Sequence, residues 1–204
     1  MVTILKILLY IILLYFVFLV IAISIRKIIQ NNLRNLFMKS IPIFNDNNIE
    51  YWVDFGTLLG VHREKDIIIG DNDCDICIWE KDQDKIRPIL QEFSNSNSNI
   101  YFEEYDWGAF RIFYQGLIPV FMDVYKCKLD NKNNMVIIPS ARDTPINLLY
   151  NFEIVQLPFY DTTIKIKQPV KWYELLNFRY TKSWKKQLHK WYLGYFAIEN
   201  VKLS

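Results

Sequence analysis

The chain has 204 residues, of which 51% are apolar and 23% are charged, a composition that predicts one folded domain and excludes a disordered or collagen-like protein. The formal net charge is +2, but the first 40 residues contain five basic side chains and no acidic one. Because the rest of the chain is therefore net acidic, nucleic acid is not expected as a partner. Three cysteines cannot form a disulfide framework, and with the two histidines they show no four-ligand zinc pattern.

An uncharged apolar segment occupies residues 7–25. As an α-helix it would measure about 28 Å, close to the roughly 30 Å thickness of the hydrocarbon core of a bilayer. The sequence therefore predicts a transmembrane anchor at residues 1–27, followed by a domain at residues 28–204. A cleaved signal peptide is the alternative, with Ala22 and Ser24 as small residues near a cleavage point, although the apolar core of a signal peptide is usually shorter.

The flanking charges bear on which side of the membrane the domain occupies. Four basic residues follow the apolar segment within the first 40 residues, whereas only Lys6 and the amino terminus precede it. The positive-inside rule then favours a single-pass protein with its domain in the cytosol. The absence of an Asn-x-Ser/Thr acceptor from the sequence favours the same side.

The first half of the domain alternates between helical and extended patterns. Helical spacing of apolar residues continues to about Phe44, so the membrane helix is expected to continue or restart as an amphipathic helix. A short strand is predicted at residues 51–53, and Gly56 permits a tight turn before a helix at residues 57–63. A second strand is predicted at residues 74–79.

The second half is rich in predicted strands. A helix is expected at residues 82–93 in spite of Pro88, and the Asn- and Ser-rich residues 94–99 predict a loop. Four extended segments follow, at residues 101–104, 109–114, 120–126 and 164–167. Pro169 suits the first turn of a helix that runs to about Arg179, and a basic, aromatic helix is predicted at residues 183–193.

Three aspartates stand at alternate positions where the chain enters the predicted strand at residues 74–79: Asp71, Asp73 and Asp75. On an extended chain alternate side chains share a face, so these carboxylates are expected to project together. Like charges so close destabilise a fold unless a cation offsets them, and Mg²⁺ or Mn²⁺ prefers carboxylate oxygen. The pattern predicts a divalent metal site, with a solvated acidic loop as the alternative for a D-x-D pattern in isolation.

Two further features favour the metal site. Asp123 lies in an otherwise apolar predicted strand, where a buried acid needs a partner. Asp54 precedes the Gly56 turn, and the start of the helix behind that turn offers backbone N–H groups and the Thr57 hydroxyl to an anionic phosphate. A carboxylate-held metal beside a phosphate-binding turn is typical of phosphoryl or nucleotidyl transfer.

Residues 51–63 (YWVDFGTLLGVHR) and 68–76 (IIGDNDCDI) resemble the signature of the LicD family, which includes bacterial phosphocholine transferases, fukutin and the fukutin-related protein. Residues 170–184 also resemble the terminal helical segment of that family. The resemblance implies an α+β fold of the nucleotidyltransferase type, a mixed β-sheet with flanking helices. It also implies transfer of a phospho-alcohol, such as phosphocholine or ribitol phosphate, from a CDP-linked donor to a glycan or glycoconjugate acceptor.

The resemblance also implies roles for individual acids. Asp73 and Asp75 match the metal-binding pair, which would hold Mg²⁺ or Mn²⁺, and Asp123 matches the third acid. Asp123 would either complete the metal site or accept the proton of the acceptor hydroxyl, and all three aspartates are the expected catalytic residues. Asp71 is expected as a secondary metal ligand.

A second set of residues is expected to bind the substrate. Gly56 and Thr57 match the phosphate-holding turn of the superfamily, and Asp54 and Arg63 lie inside the same motif. Arg111 is a weaker candidate for a donor phosphate, since an arginine is more often a surface or ion-pair residue. The basic, aromatic region after residue 165 could bind diphosphate or lipid headgroups, or could simply pack its aromatic residues on the sheet.

The chain departs from the family pattern in two places. Asn72 replaces the middle of three consecutive aspartates, where its side chain would point away from its neighbours, and Thr181 stands where a glycine often follows the tyrosine. Two other functions therefore stay open: a catalytically inactive, membrane-tethered relative that binds glycan or protein, and an enzyme of the same fold that transfers a nucleotide from an NTP. Similarity to fukutin also favours a lumenal domain, against the charge pattern.

Overall fold

The computed structural model describes residues 2–180 and 182–185. Most of the predicted helix at residues 183–193, with His189, lies outside the described residues, as does Thr181. The chain begins with the helix α1 (Val2–Asp46), which is continuous through residue 27, where the sequence divided anchor from domain. The division itself stays a prediction.

The two halves of α1 differ in their surroundings. The amino-terminal half is apolar, exposed along its length, and long and apolar enough to cross a membrane by those criteria alone. The carboxy-terminal half packs into the core through residues at helical spacing, so the same helix belongs to the domain. Its fully buried apolar residues are Leu33, Leu36, Phe37 and Ile41.

The domain is built on one mixed sheet. Its principal strands are β1 (Tyr51–Val53), β2 (Asp73–Trp79), β3 (Ile100–Tyr105), β4 (Ala109–Tyr114) and β5 (Val120–Asp130). Their spatial order is β1-β2-β5-β4-β3, and β2 and β5 are parallel while the other neighbouring pairs are antiparallel. This arrangement puts β2 and β5 side by side at the centre, with Asp75 opposite Asp123.

Shorter elements complete the architecture. Strands β6 (Met135–Ile137) and β7 (Thr144–Pro145) extend the sheet beyond the end of β5, and β8 (Phe152–Phe159) and β9 (Thr162–Pro169) form a separate hairpin. The remaining α-helices are α2 (Phe55–Arg63), α3 (Gln83–Ser96) and α4 (Trp172–Arg179), and single 3₁₀ turns occur at Glu80–Asp82, Ile146–Leu148 and Lys182–Lys185. The fold is therefore α+β with a mixed sheet, as the sequence predicted.

Most predicted elements coincide with observed ones, but two predictions are wrong and three strands were not predicted. Pro169 ends β9 opposite Phe152 and does not begin a helix, because a proline is tolerated at the edge of a two-stranded hairpin. Helix α3 continues to Ser96, so the loop predicted at residues 94–99 begins only at residue 97. The sequence also missed β6, β7 and β8, and Pro158 inside β8 is the kind of residue that argues against a strand.

Candidate active site

Three carboxylates converge at the centre of the sheet. Asp73, Asp75 and Asp123 each offer an oxygen that lies within 4.8 Å of the other two. Asp73 and Asp75 share one face of β2 because they are two residues apart, and the register of the parallel pair sets Asp123 beside Asp75. The structure thus brings together three of the four acids that the sequence assigned to a metal site.

The electrostatic environment of Asp75 favours a cation. Asp75 is only 8% exposed, and no hydrogen-bond donor among the described residues reaches its carboxylate. Burial, reinforced by the charges of Asp73 and Asp123, raises the pKa of Asp75 well above its usual range. Burial and the charge of Asp123 also raise the pKa of Asp73. Buried carboxylate oxygens at this spacing fit a hard divalent ion such as Mg²⁺ or Mn²⁺.

Asp123 differs from its two neighbours because it has a counter-ion. Arg111, opposite it on β4, donates to both carboxylate oxygens, at 2.7 Å from Nε and 2.9 Å from Nη2. The guanidinium carbon lies 3.9 Å from the centroid of the Phe121 ring, which fixes the arginine over an aromatic face. Each carboxylate oxygen has two lone-pair directions, so this bidentate pair still leaves acceptor capacity for a metal ion.

Asp71 lies beside the cluster but outside it. Its N–H donates to Ile68 in a turn where Gly70 has a φ of +104°, so the chain is not yet extended at this point. Asp71 precedes β2, which begins at Asp73, but its charge contributes to raising the pKa of Asp75, so its role beside the cluster stays a prediction. Burial and the charge of Asp73 raise the pKa of Asp71 to about 7, while Arg63 acts in the opposite direction.

The glycine turn supports the acids from the other side. A Cβ on residue 56 would lie 2.9 Å from Oδ2 of Asp71, so the close approach of that carboxylate requires Gly56. The Thr57 hydroxyl accepts a hydrogen bond of 2.7 Å from the N–H of Asp75 and is almost completely buried. Helix α2 is thereby joined to β2 at the residue that carries the central carboxylate.

Asp54 has a structural environment that the sequence did not reveal. It is fully buried, caps α2 by accepting from the N–H of Phe55 at 2.7 Å, and accepts from the indole of Trp52 at 3.3 Å. Arg179, at the end of α4, donates to both of its oxygens, at 3.1 and 2.7 Å. A carboxylate so enclosed has no open face, so we assign Asp54 to holding α2 and α4 together and not to substrate binding.

Arg63 and His62, two further residues of the sequence motif, form hydrogen bonds within the protein. Arg63 donates to Glu64 at 2.6 Å and to the carbonyl of Trp184 at 3.3 Å. His62 shares a 2.6 Å hydrogen bond with Gln168, and burial lowers its pKa. The three cysteines are free and buried, as expected for packing residues.

Sequence reasoning missed three residues near the acids. Arg179 is separated from Asp54 by 125 positions, and its only signal was its place in the segment that resembles the terminal helix of the family. Tyr125 and Tyr180 are half-buried, and burial together with the charge of Asp75 raises the pKa of both hydroxyls above its usual range. No local pattern distinguishes these two tyrosines from the other eleven in the chain.

Removing Arg179 should leave the buried Asp54 carboxylate without its counter-ion. We expect Arg179→Met to reduce the free energy of unfolding by about 3–5 kcal/mol, the usual cost of breaking a buried pair. Arg87→Met is the matched control, because Arg87 pairs with Glu104 at the surface, and it should change stability little. Urea unfolding of the full chain in detergent micelles measures both, and equal effects of the two substitutions would contradict the structural role of Arg179.

The raised pKa of Asp71 predicts how stability depends on pH without metal. Between about pH 4, where the unfolded residue loses its proton, and about pH 7, the folded residue still binds a proton that the unfolded one has released. Stability in EDTA should therefore fall as the pH rises through this window. Urea unfolding of wild type and Asp71→Asn at pH 5 and pH 7.5 tests this, and the fall should be smaller in the variant. A wild type that becomes more stable with rising pH would contradict it.

A family model described as LicD/FKTN/FKRP, nucleotidyltransferase domain, matches residues 48–168. This range contains the three carboxylates, the Gly56 turn and Arg111. Among curated proteins, the uncharacterized protein RP689 of Rickettsia prowazekii (strain Madrid E) is 30% identical over 129 residues, which are 63% of this chain and 46% of that protein. The uncharacterized protein RT0683 of Rickettsia typhi (strain ATCC VR-144 / Wilmington) is 39% identical over 62 residues, 30% of this chain and 20% of that protein.

Two solved structures show a weaker likeness. The antibiotic-resistance factor ANT(2'')-Ia has a TM-score of 0.40 at 15% identity, over 55% of each chain. The lincomycin-bound lincosamide antibiotic adenylyltransferase LnuA has a TM-score of 0.42 at 16% identity, over 66% of this chain and 78% of that one. The match to this chain spans less than half the length of the curated relatives. The family model, by contrast, covers more than half of this chain, and the chain belongs to the LicD family.

Proposed function

We propose that this protein is a membrane-anchored, divalent-metal-dependent transferase that moves a phospho-alcohol from a CDP-linked donor to a glycan acceptor. The observation that carries the proposal is the convergence of Asp73, Asp75 and Asp123 within 4.8 Å of one another in a LicD-family domain. By analogy with the family, the transferred phospho-alcohol would be phosphocholine, ribitol phosphate or a similar group.

The three carboxylates would hold Mg²⁺ or Mn²⁺, with Asp71 as a further ligand at the edge of the site. The ion would neutralise the charge of the donor diphosphate during transfer. Both oxygens of Asp123 already accept hydrogen bonds from Arg111. We therefore assign Asp123 to the metal site and not to removal of the proton from the acceptor hydroxyl.

The start of α2 is the proposed phosphate-binding element. The Asp54 carboxylate accepts a hydrogen bond from the N–H of Phe55. The next two N–H groups, of Gly56 and Thr57, lie in the first turn of the helix, where no carbonyl of the helix can accept from them. Such groups bind an anionic phosphate readily. Thr57 also holds the backbone of Asp75, so the phosphate-binding turn and the metal-binding strand are fixed relative to each other. Arg63 completes the proposed substrate contacts.

Nucleotide binding that depends on the metal tests the proposal. In detergent micelles with Mg²⁺ or Mn²⁺, CDP should raise the melting temperature of the full chain more than UDP, GDP or ADP does, because a ligand that binds only the folded state stabilises it. Asp73→Asn should lose both this shift and transfer from CDP-choline or CDP-ribitol, because it removes one ligand charge from the metal site.

Asp84→Asn is the matched control, since Asp84 lies exposed on α3 and pairs only with Arg87 among the described residues. It should behave as wild type. A CDP shift that survives in Asp73→Asn would contradict the metal site. No shift with any nucleotide would favour the inactive relative, and stronger stabilisation by an NTP than by CDP would favour nucleotidyl transfer.

A further inference from the structure

Three loops of the domain end in exposed apolar or aromatic side chains. Ile69 lies between α2 and β2, Leu117 between β4 and β5, and Tyr160 in the turn between β8 and β9. Their exposed fractions are 48%, 85% and 61%. We call these three residues the juxtamembrane rim. They are far apart in sequence, so any common position must come from the fold.

All three loops are attached to the same short stretch of α1. Gln30 donates to the carbonyl of Ile67 at 2.6 Å, two residues before Ile69 along the chain. Asn32 donates to the carbonyl of Ile118 at 2.8 Å, next to Leu117. The Arg34 guanidinium lies 3.5 Å from the centroid of the Tyr160 ring. The rim therefore surrounds α1 at residues 30–34.

Helix geometry sets the height of the rim above the apolar segment. Helix α1 is continuous from residue 25 to residue 34, so at 1.5 Å per residue Gln30 lies about 7.5 Å beyond Ile25, the end of the uncharged apolar segment. A bilayer is roughly 40–45 Å thick in total, and its hydrocarbon core is about 30 Å thick. Each of its two polar layers is therefore about 5–7.5 Å thick. Gln30, to which the first loop is attached, is thus at the outer edge of the lipid headgroups, and Asn32, to which the second is attached, lies about 3 Å farther out.

We propose that the juxtamembrane rim seats in the headgroup layer of the membrane that α1 crosses, so that the domain rests directly on the bilayer. This inference rests on the proposed membrane span. The chemistry of the rim fits that occupant, because aromatic and aliphatic tips partition to the interface. Arg26 and Lys27, between the apolar segment and the rim, add attraction to anionic headgroups.

The seating has a consequence for the candidate active site. Asp71 follows Ile69 by two residues, and Asp73 follows it by four. Even on a fully extended chain, Asp71 therefore lies within about 7 Å of Ile69 in the rim, and Asp73 within about 14 Å. An acceptor held at the bilayer surface would be within reach of the acids.

Site-specific fluorescence in vesicles tests the seating. The native cysteines are buried, so Leu117→Cys, Tyr160→Cys and Leu129→Cys can each carry an environment-sensitive fluorophore on the full chain. The vesicles contain phosphatidylcholine and phosphatidylglycerol, with a nitroxide on the lipid headgroup. The label at residue 117 or 160 should shift its emission to the blue and lose fluorescence by nitroxide quenching.

Leu129 is the matched control, because it is 46% exposed and lies nine residues along β5 from Val120, about 30 Å away.

A further label separates failure of the rim from failure of the span. Tyr15→Cys lies in the middle of the apolar segment and should be quenched by a nitroxide deep in the acyl chains. Quenching at residue 15 without quenching at residues 117 and 160 would overturn the seating alone, and no quenching at residue 15 would overturn the span. A blue shift at residue 117 without quenching by lipid would show that protein covers the rim, which also contradicts the proposal.

Discussion

The repulsion among three aspartates is the constraint around which the rest of the domain is arranged. Asp73, Asp75 and Asp123 are brought together by the pairing of two parallel strands at the centre of the sheet. Asp75 is nearly buried and has no hydrogen-bond donor among the described residues. Such a cluster lowers stability by itself, and its carboxylate oxygens lie close enough together to hold a metal ion.

The surrounding contacts hold the acids in place without neutralising all of them. Thr57 fixes the backbone of Asp75, and the lack of a side chain at Gly56 admits Asp71. Within the described residues Arg111 forms its ion pair with Asp123 alone. The buried pair of Asp54 and Arg179 secures the helix behind the glycine turn. As a result, the two carboxylates on β2 form no ion pair within the described part of the chain, and their oxygens are available to a metal ion.

Local patterns predicted the parts of the site that lie close together in sequence. The two-residue spacing of Asp73 and Asp75 fixes their common face once β2 is extended. The same spacing does not fix the position of Asp71, because a turn at Gly70 intervenes before the strand begins. The pairing of Asp54 with Arg179 depends on contacts over 125 positions, and no periodicity encodes them. The continuity of α1 was left open because helical spacing persists after residue 25 whether or not the helix restarts there.

The central claim is that the three carboxylates bind one divalent cation, and equilibrium binding of Mn²⁺ tests it most directly. The electron paramagnetic resonance signal of free Mn²⁺, titrated with the full chain in detergent micelles, reports the bound fraction without any substrate. The account predicts saturable binding at one site per chain that Mg²⁺ displaces and that Asp75→Asn abolishes. Binding that is unsaturable, or that is unchanged in Asp75→Asn, would contradict it.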